Sequence, residues 1–241
     1  MTQNQTLYAY WTRTGEAVEL GGYKWHVIGE YQDEQGRTLE TLLMDAGQLG
    51  DNSNMSHCGS ANNSSNNCTF NGTYYVYSWD KSLIRTYLNG AFLTDLESKI
   101  SNEIVSTSIC VDQSTGDGST TYGGYLMSEL DALEKKELCS NKENDKVRLI
   151  SISEYYNMSP YYTNISSNYP NVENITRLSS DDSSWFKSSD IDSDDSWWTM
   201  GATNMMDMGF YPLVEYVPSY GFGFDGSDRA YDVRPVITIV K

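Results

Sequence analysis

The fold turns on one stretch, Asp232-Val233-Arg234-Pro235-Val236-Ile237-Thr238-Ile239-Val240. In an extended chain Val236, Thr238 and Val240 fall on one face and Ile237 and Ile239 on the other, so this β-branched run suits a strand covered on both sides. A strand of that kind needs a partner. Trp25-His26-Val27-Ile28-Gly29-Glu30-Tyr31 is the natural one, and pairing the two would bring the first long strand against the last. Before the closing run, Trp197 to Tyr231 opens on the pair Trp197-Trp198 and is heavy in Gly, Tyr, Met and Phe. We expect loops there, presenting side chains as the working surface.

Size and charge bound what that surface does. A chain of 241 residues can bury a sizeable core as one large domain. We divide it into an extension or edge strand over residues 1–20 and a main domain over 21–241. The 16 Lys and Arg against 33 Asp and Glu leave a net charge of -17, which repels a phosphate backbone or an anionic membrane. Nucleic acid is excluded as a partner. No run is apolar for long enough to span a bilayer, and Met1 to Thr6 lack the basic and apolar parts of a signal peptide.

The 4 cysteines lie in two local pairs, Cys58 with Cys68 and Cys110 with Cys139, and four cysteines allow three connectivities. Metal binding competes as a reading, but there is no Cys-x-x-Cys, and the 2 histidines are His26 and His57. Disulfides are favoured and imply an oxidising compartment. With few Lys and abundant Ser, Thr, Asn and Tyr, the composition suits a secreted or surface-displayed protein.

Taken in order, Thr6 to Trp11 alternates loosely, as an edge strand or the end of a preceding module would, and resembles the closing strand of small β-repeats in bacterial surface proteins. Gly15 to Gly22 leads into the strand Trp25–Tyr31, Asp33-Glu34-Gln35-Gly36 turns the chain, and Thr38–Met44 returns as a hairpin arm. Gly50 to Thr73 reads as a polar loop stapled by Cys58 and Cys68. A helix is expected over Tyr77–Gly90, with a stripe of Leu83, Ile84, Tyr87 and Leu88, a cap at Ser78 or Asp80, and Gly90 as its end. A second helix is expected from a capping box at Thr94-Asp95-Leu96-Glu97, with Leu96, Ile100 and Ile104 buried. Ser128–Cys139 reads as a short helix, Val147–Ile152 as a buried strand, and Ser153–Tyr156 as a turn or helix start.

Five segments in fixed order carry a resemblance: Trp25–Ile28; Tyr77–Asp80 with Ile84–Leu93; Asp145–Ser151; Trp197-Trp198; and Val233-Arg234-Pro235. Together they resemble a bacterial family of uncharacterised extracellular domains with a C-type-lectin-like fold. That fold is similar to the one shared by formylglycine-generating enzymes and the variable proteins of diversity-generating retroelements. The resemblance spans about Gly21 to Val240 and implies an α+β domain with paired N- and C-terminal strands, two packed helices and long irregular loops. The chain departs from the family's pattern after the tryptophan pair, reading Thr199-Met200-Gly201-Ala202 where relatives have Leu-Arg-Ser-Pro.

The candidate ligand-binding residues are Trp185, Phe186, Asp190, Asp192, Tyr211, Tyr216, Tyr220, Phe224, Asp225 and Tyr231. Tyr and Trp supply stiff contact area with a polar tip, and short polar residues let a loop adapt, as in antibody paratopes. The bland alternative is that several of these rings fill the core. Trp197 and Trp198 cannot face one way in a strand, so at least one is structural. Asp190 to Asp195 offers oxygen ligands at short spacing but lacks the Gly and distal Glu of a calcium loop, so a solvated acidic loop is preferred and no resident metal or cofactor is expected. The sugar-binding motifs Glu-Pro-Asn and Trp-Asn-Asp of calcium-dependent lectins do not occur, and no Cys follows Trp197 to serve an oxidase.

The expectation is a non-enzymatic extracellular domain that binds a protein or glycan ligand or serves adhesion, alone or beside other surface-protein modules. The resemblance implies a retroelement variable protein as one form of it, and Ser179 to Tyr231, like the rest of the chain, is rich in the residue types that adenine-directed mutagenesis leaves. A structural surface or pilus subunit is the alternative, and an enzyme acting on glycans or peptides ranks below that.

Overall fold

The computed structural model describes residues 15–49, 68–69, 79–110, 142–151, 154–155, 158, 197–205, 211–217, 223–225 and 230–241, a number of them by their backbone alone. The architecture is mixed α+β with mainly antiparallel sheet. Strands β1 (Ala17–Leu20), β2 (Tyr23–Gln32) and β3 (Thr38–Met44) form a meander. The short strands β4 (Cys68–Thr69), β5 (Ile104–Val105), β6 (Thr107–Cys110), β7 (Lys142–Asp145) and β8 (Val147–Arg148) follow. Then come β9 (Trp197–Met205), β10 (Tyr211–Val217), β11 (Gly223–Asp225), β12 (Ala230–Tyr231) and β13 (Val236–Val240). The main sheet runs β1-β2-β3-β13-β5, with β8 also on β13.

The closing run is the strand its sequence predicts, buried on both faces: Val236 and Thr238 on one, Ile237 and Ile239 on the other. Its neighbour differs from expectation. β13 pairs with β3, Val236 opposite Leu43 through Val240 opposite Leu39, and β2 lies one strand further out. The returning arm of the hairpin therefore separates Trp25–Tyr31 from the last strand. The reason lies in the apolar content of each arm. Leu39 to Met44 is buried at every residue, as a strand flanked on both sides requires, whereas β2 ends at exposed Gln32 and carries the half-exposed β1 on its outer side. On its other side β13 meets β8, with Ile237 opposite Val147, and β5, with Ile239 opposite Ile104.

Two helices were expected where the described residues form one continuous helical body. After a 3-10 turn at Trp79–Lys81, α1 (Leu83–Tyr87) passes through a π-helical turn (Leu88–Phe92) into α2 (Leu93–Lys99). Ser82 caps it, its Oγ accepting from the Arg85 amide at 3.0 Å, in place of Ser78 or Asp80. Gly90 does not end the helix. It lies in the wide turn, and Thr94, expected as a capping residue, instead donates its hydroxyl to the Gly90 carbonyl at 2.9 Å from inside the helix. The helix stops at Ile100, whose backbone is extended, so Ile104 belongs to β5 and not to a helical stripe. Ile84, Leu88, Phe92 and Leu96 pack on Trp25, Val27, Leu42, Ile237 and Ile239 of the sheet.

The β1–β2 turn contains Gly21 and Gly22 at φ +63 and +84, the two positive values that a tight two-residue hairpin turn demands. A Cβ on Gly21 would also come 2.4 Å from Leu96 Cδ1, whereas one on Gly22 would meet nothing within 4 Å. Gly21→Ala is therefore expected to destabilise by about 2–3 kcal/mol and Gly22→Ala by only about 1 kcal/mol. Urea unfolding of both variants checks this. Equal losses would show that the Leu96 contact carries no weight.

Candidate functional site

Trp197 and Trp198 open β9, and both are buried, on opposite faces as a strand requires. Trp198 enters the helix-side core, its amide donates to the Asp232 carbonyl at 3.0 Å, and the Tyr231 ring meets it edge-on at 4.7 Å between centroids. Trp197 faces the other way. The Tyr155 ring meets it edge-on at 5.8 Å, and the Arg234 guanidinium lies over it at 4.9 Å.

Arg234 is buried and donates from Nε to the Met44 carbonyl at 3.0 Å. Burial pulls its guanidinium below the ordinary arginine value, and the carboxylates of Asp232 and Asp45 oppose that pull. Asp232 accepts the Val233 amide at 2.8 Å and the Gly47 amide at 2.9 Å. The Val233-Arg234-Pro235 segment thus ties β3, the turn after it and β9 into one joint.

The other segments behind the resemblance are spent in the same way. Asp145 accepts the Trp79 indole N–H at 2.7 Å and the Arg85 guanidinium at 2.9 to 3.1 Å. Asn89, in the π-helical turn, donates to the Val147 carbonyl at 2.7 Å and accepts the Val147 amide at 3.1 Å, so its amide group substitutes for a neighbouring strand on β8. Arg148 forms a two-pronged bond to Glu154 at 2.6 and 2.7 Å, both side chains buried. Glu154 also accepts the Ser151 amide, and the Ser151 hydroxyl accepts the Glu154 amide, a reciprocal capping box. That Ser-x-x-Glu spacing was legible in the sequence. The box expected at Thr94–Glu97 does not form, since Thr94 lies inside the helix.

Beyond the joint, the region expected as loops contains a three-stranded antiparallel sheet in the order β11-β10-β9. The β-branched and aromatic content of Leu213-Val214-Glu215-Tyr216-Val217 was its signal, obscured by Pro212; the strand also shifts register between Val214 and Tyr216. Three of the candidate residues lie on the β10–β11 ladder, Tyr216 and Asp225 on one face and Phe224 on the other. Tyr216 stands opposite Gly223, Phe224 opposite Glu215, and Asp225 opposite Val214. Tyr216 is also registered to Trp198, while Tyr211 lies at the far end of β10 opposite Met205. Tyr231 is in β12, which pairs with β4, and its ring rests on Trp198.

Trp185, Phe186, Asp190, Asp192 and Tyr220 lie outside the described residues, as do the Asp190–Asp195 loop, Thr6–Trp11, the Ser128–Cys139 segment, Cys58 and Cys139. Cys68 and Cys110 are placed by their backbone, opposite Tyr231 and Lys142. Among the described residues no group of three or more His, Cys, Asp or Glu is placed to hold a metal ion, and no described helix is long and apolar enough to cross a membrane.

A family described as "Domain of unknown function (DUF6273)" matches residues 41–241, from inside β3 to beyond β13. No curated protein and no solved structure matches the chain.

Proposed function

The chain belongs to the DUF6273 family of domains of unknown function, and from that premise we propose a non-enzymatic extracellular domain that binds a protein or glycan ligand on its late strands. The scaffold is a C-type-lectin-like one, a reading supported by the antiparallel sheet that unites early and late strands and by the helix packed against it. The observation that carries the proposal is the register of Tyr216 and Asp225, which share one face of the β10–β11 ladder on strands that continue from the tryptophan joint. An aromatic residue and a carboxylate diagonal to one another on one face of a paired ladder are a combination that recognition patches use. The motif residues support it from the other side, because Trp79, Arg85, Asp145, Arg148 and Arg234 use their polar groups on internal contacts. The variable protein of a diversity-generating retroelement is the specific form, a reading that rests on the fold resemblance together with an Asn-, Ser-, Asp- and Tyr-rich composition that the late segment shares with the rest of the chain.

The test is an array of glycans and extracellular proteins probed with the purified oxidised chain. Binding is expected, and the double variant Tyr216→Ala, Asp225→Ala is expected to weaken it by about 30-fold or more, the scale of a hot-spot loss, whereas Phe224→Ala, on the other face, is expected to leave it unchanged. A blank array with concentration-dependent polymerisation would favour a structural subunit. Turnover of a glycan or peptide, lost on a single Asp or Glu change, would favour an enzyme.

A further inference from the structure

A buried histidine sits where the N-terminal hairpin meets the tryptophan joint. His26 of β2 is 3 % exposed. Its Nδ1 lies 3.4 Å from the Gly15 carbonyl oxygen, and its Nε2 lies 3.4 Å from Asp45 Oδ1. Asp45 is also held by Lys24 Nζ at 2.8 Å, and the charge of buried Arg234 acts on both His26 and Asp45. Among the described residues the groups facing the ring thus come from four places. Gly15 precedes β1, Lys24 is on β2, Asp45 follows β3, and Arg234 lies between β12 and β13.

We propose that His26 is an acid-sensitive latch, whose protonation in mildly acidic solution loosens the joint between the β1–β2 hairpin and the Arg234–Trp197 stack. The reasoning is a count of charges. With the ring neutral, the Asp45 carboxylate serves Lys24 and Arg234. With the ring protonated, it serves a third cation, the second buried one beside Arg234, while Lys24 stays half-exposed, and the Asp232 carboxylate already accepts the Gly47 and Val233 amides.

Burial lowers the His26 ring below its ordinary value of 6.5; Asp45 and the Gly15 carbonyl pull back toward protonation, and Arg234 and Lys24 add to the lowering. The unfolded chain therefore takes up the proton first. Stability is full above the unfolded value of 6.5 and is lost as pH falls from there through the folded value. Asp45 remains ionised throughout that window: burial would raise its carboxyl, but the Lys24 hydrogen bond and the charges of His26, Arg234 and Lys24 outweigh it and hold it low. The inference stands independently of the ligand-binding reading.

The test is urea unfolding of the full oxidised chain in steps from roughly pH 7.5 to pH 5, for the wild type, His26→Gln and His57→Gln. The wild type and His57→Gln are expected to lose folded-to-unfolded ratio at a rate approaching about tenfold per pH unit, the limit for one proton. His26→Gln is expected to be flatter by that factor, and parallel curves for all three overturn the latch. Should His26→Gln not fold, the His57→Gln protein leaves His26 as the sole histidine for NMR titration. A ring midpoint below 6.5 with the Trp197 indole signal moving alongside supports the proposal; a midpoint at or above 6.5, or an unmoved indole, overturns it.

Discussion

Glu154→Ala is expected to destabilise the protein by about 3–5 kcal/mol, a large part of the roughly 5–15 kcal/mol that holds a domain folded. The substitution removes both prongs of the Arg148 pair and leaves that guanidinium, 5 % exposed, in an apolar setting. Arg148 keeps its bonds to the Leu149 carbonyl and the Thr107 hydroxyl, which solvate it only in part. Ser151 loses its half of the capping box as well, at about 1 kcal/mol. The double variant Arg148→Met, Glu154→Leu is expected to be much milder, within about 1–2 kcal/mol of wild type, because it removes both charges and retains the volume. Chemical unfolding of single and double variants decides it. A double variant as damaged as the single would show that packing, and not the uncompensated charge, sets the cost.

Asp145→Ala is the second large effect, expected at about 2–4 kcal/mol. One carboxylate serves two partners of different kind. Trp79 is 1 % exposed, so its indole N–H is left buried without its acceptor. Arg85 is 26 % exposed, and water replaces part of what it loses. Most of the cost therefore falls on Trp79. Asp145→Asn retains one carbonyl acceptor for the indole and is expected to cost about half as much. If Asn were as harmful as Ala, the Arg85 ion pair would be the dominant partner after all.

These two carboxylates mark the limit of what the sequence discloses. Periodicity placed β2, β3, β13 and the helix, because each buries a face whose apolar spacing follows from backbone geometry. The same spacing is silent on strand order: Trp25–Tyr31 was the expected neighbour of Val236–Val240, and Thr38–Met44 takes that place instead. Helix continuity was misread because Gly90 is a common terminator, yet here the residues on either side, Leu88 and Phe92, are both buried and hold the π-helical turn in place. The late strands were hidden for a different reason. Pro212 in β10 and the glycines of β9 and β11 are turn residues by propensity, overridden by the pairing of β9, β10 and β11. Asp145 was one acid among 33 that only its partners distinguish, and the Ser151-x-x-Glu154 spacing signals a cap but not the Arg148 partner that Glu154 holds.

The place of β13 between β3 on one side and β5 with β8 on the other governs the order in which this molecule can be assembled. Thr41 and Thr238, whose hydroxyls meet across that seam, are 197 residues apart in the chain. During synthesis β3 emerges early with a bare apolar edge, and nothing local can cover it. The sheet closes only when residues 236–240 arrive, so folding is slow for the chain's size, and a nascent chain halted before Val236 exposes an aggregation-prone edge.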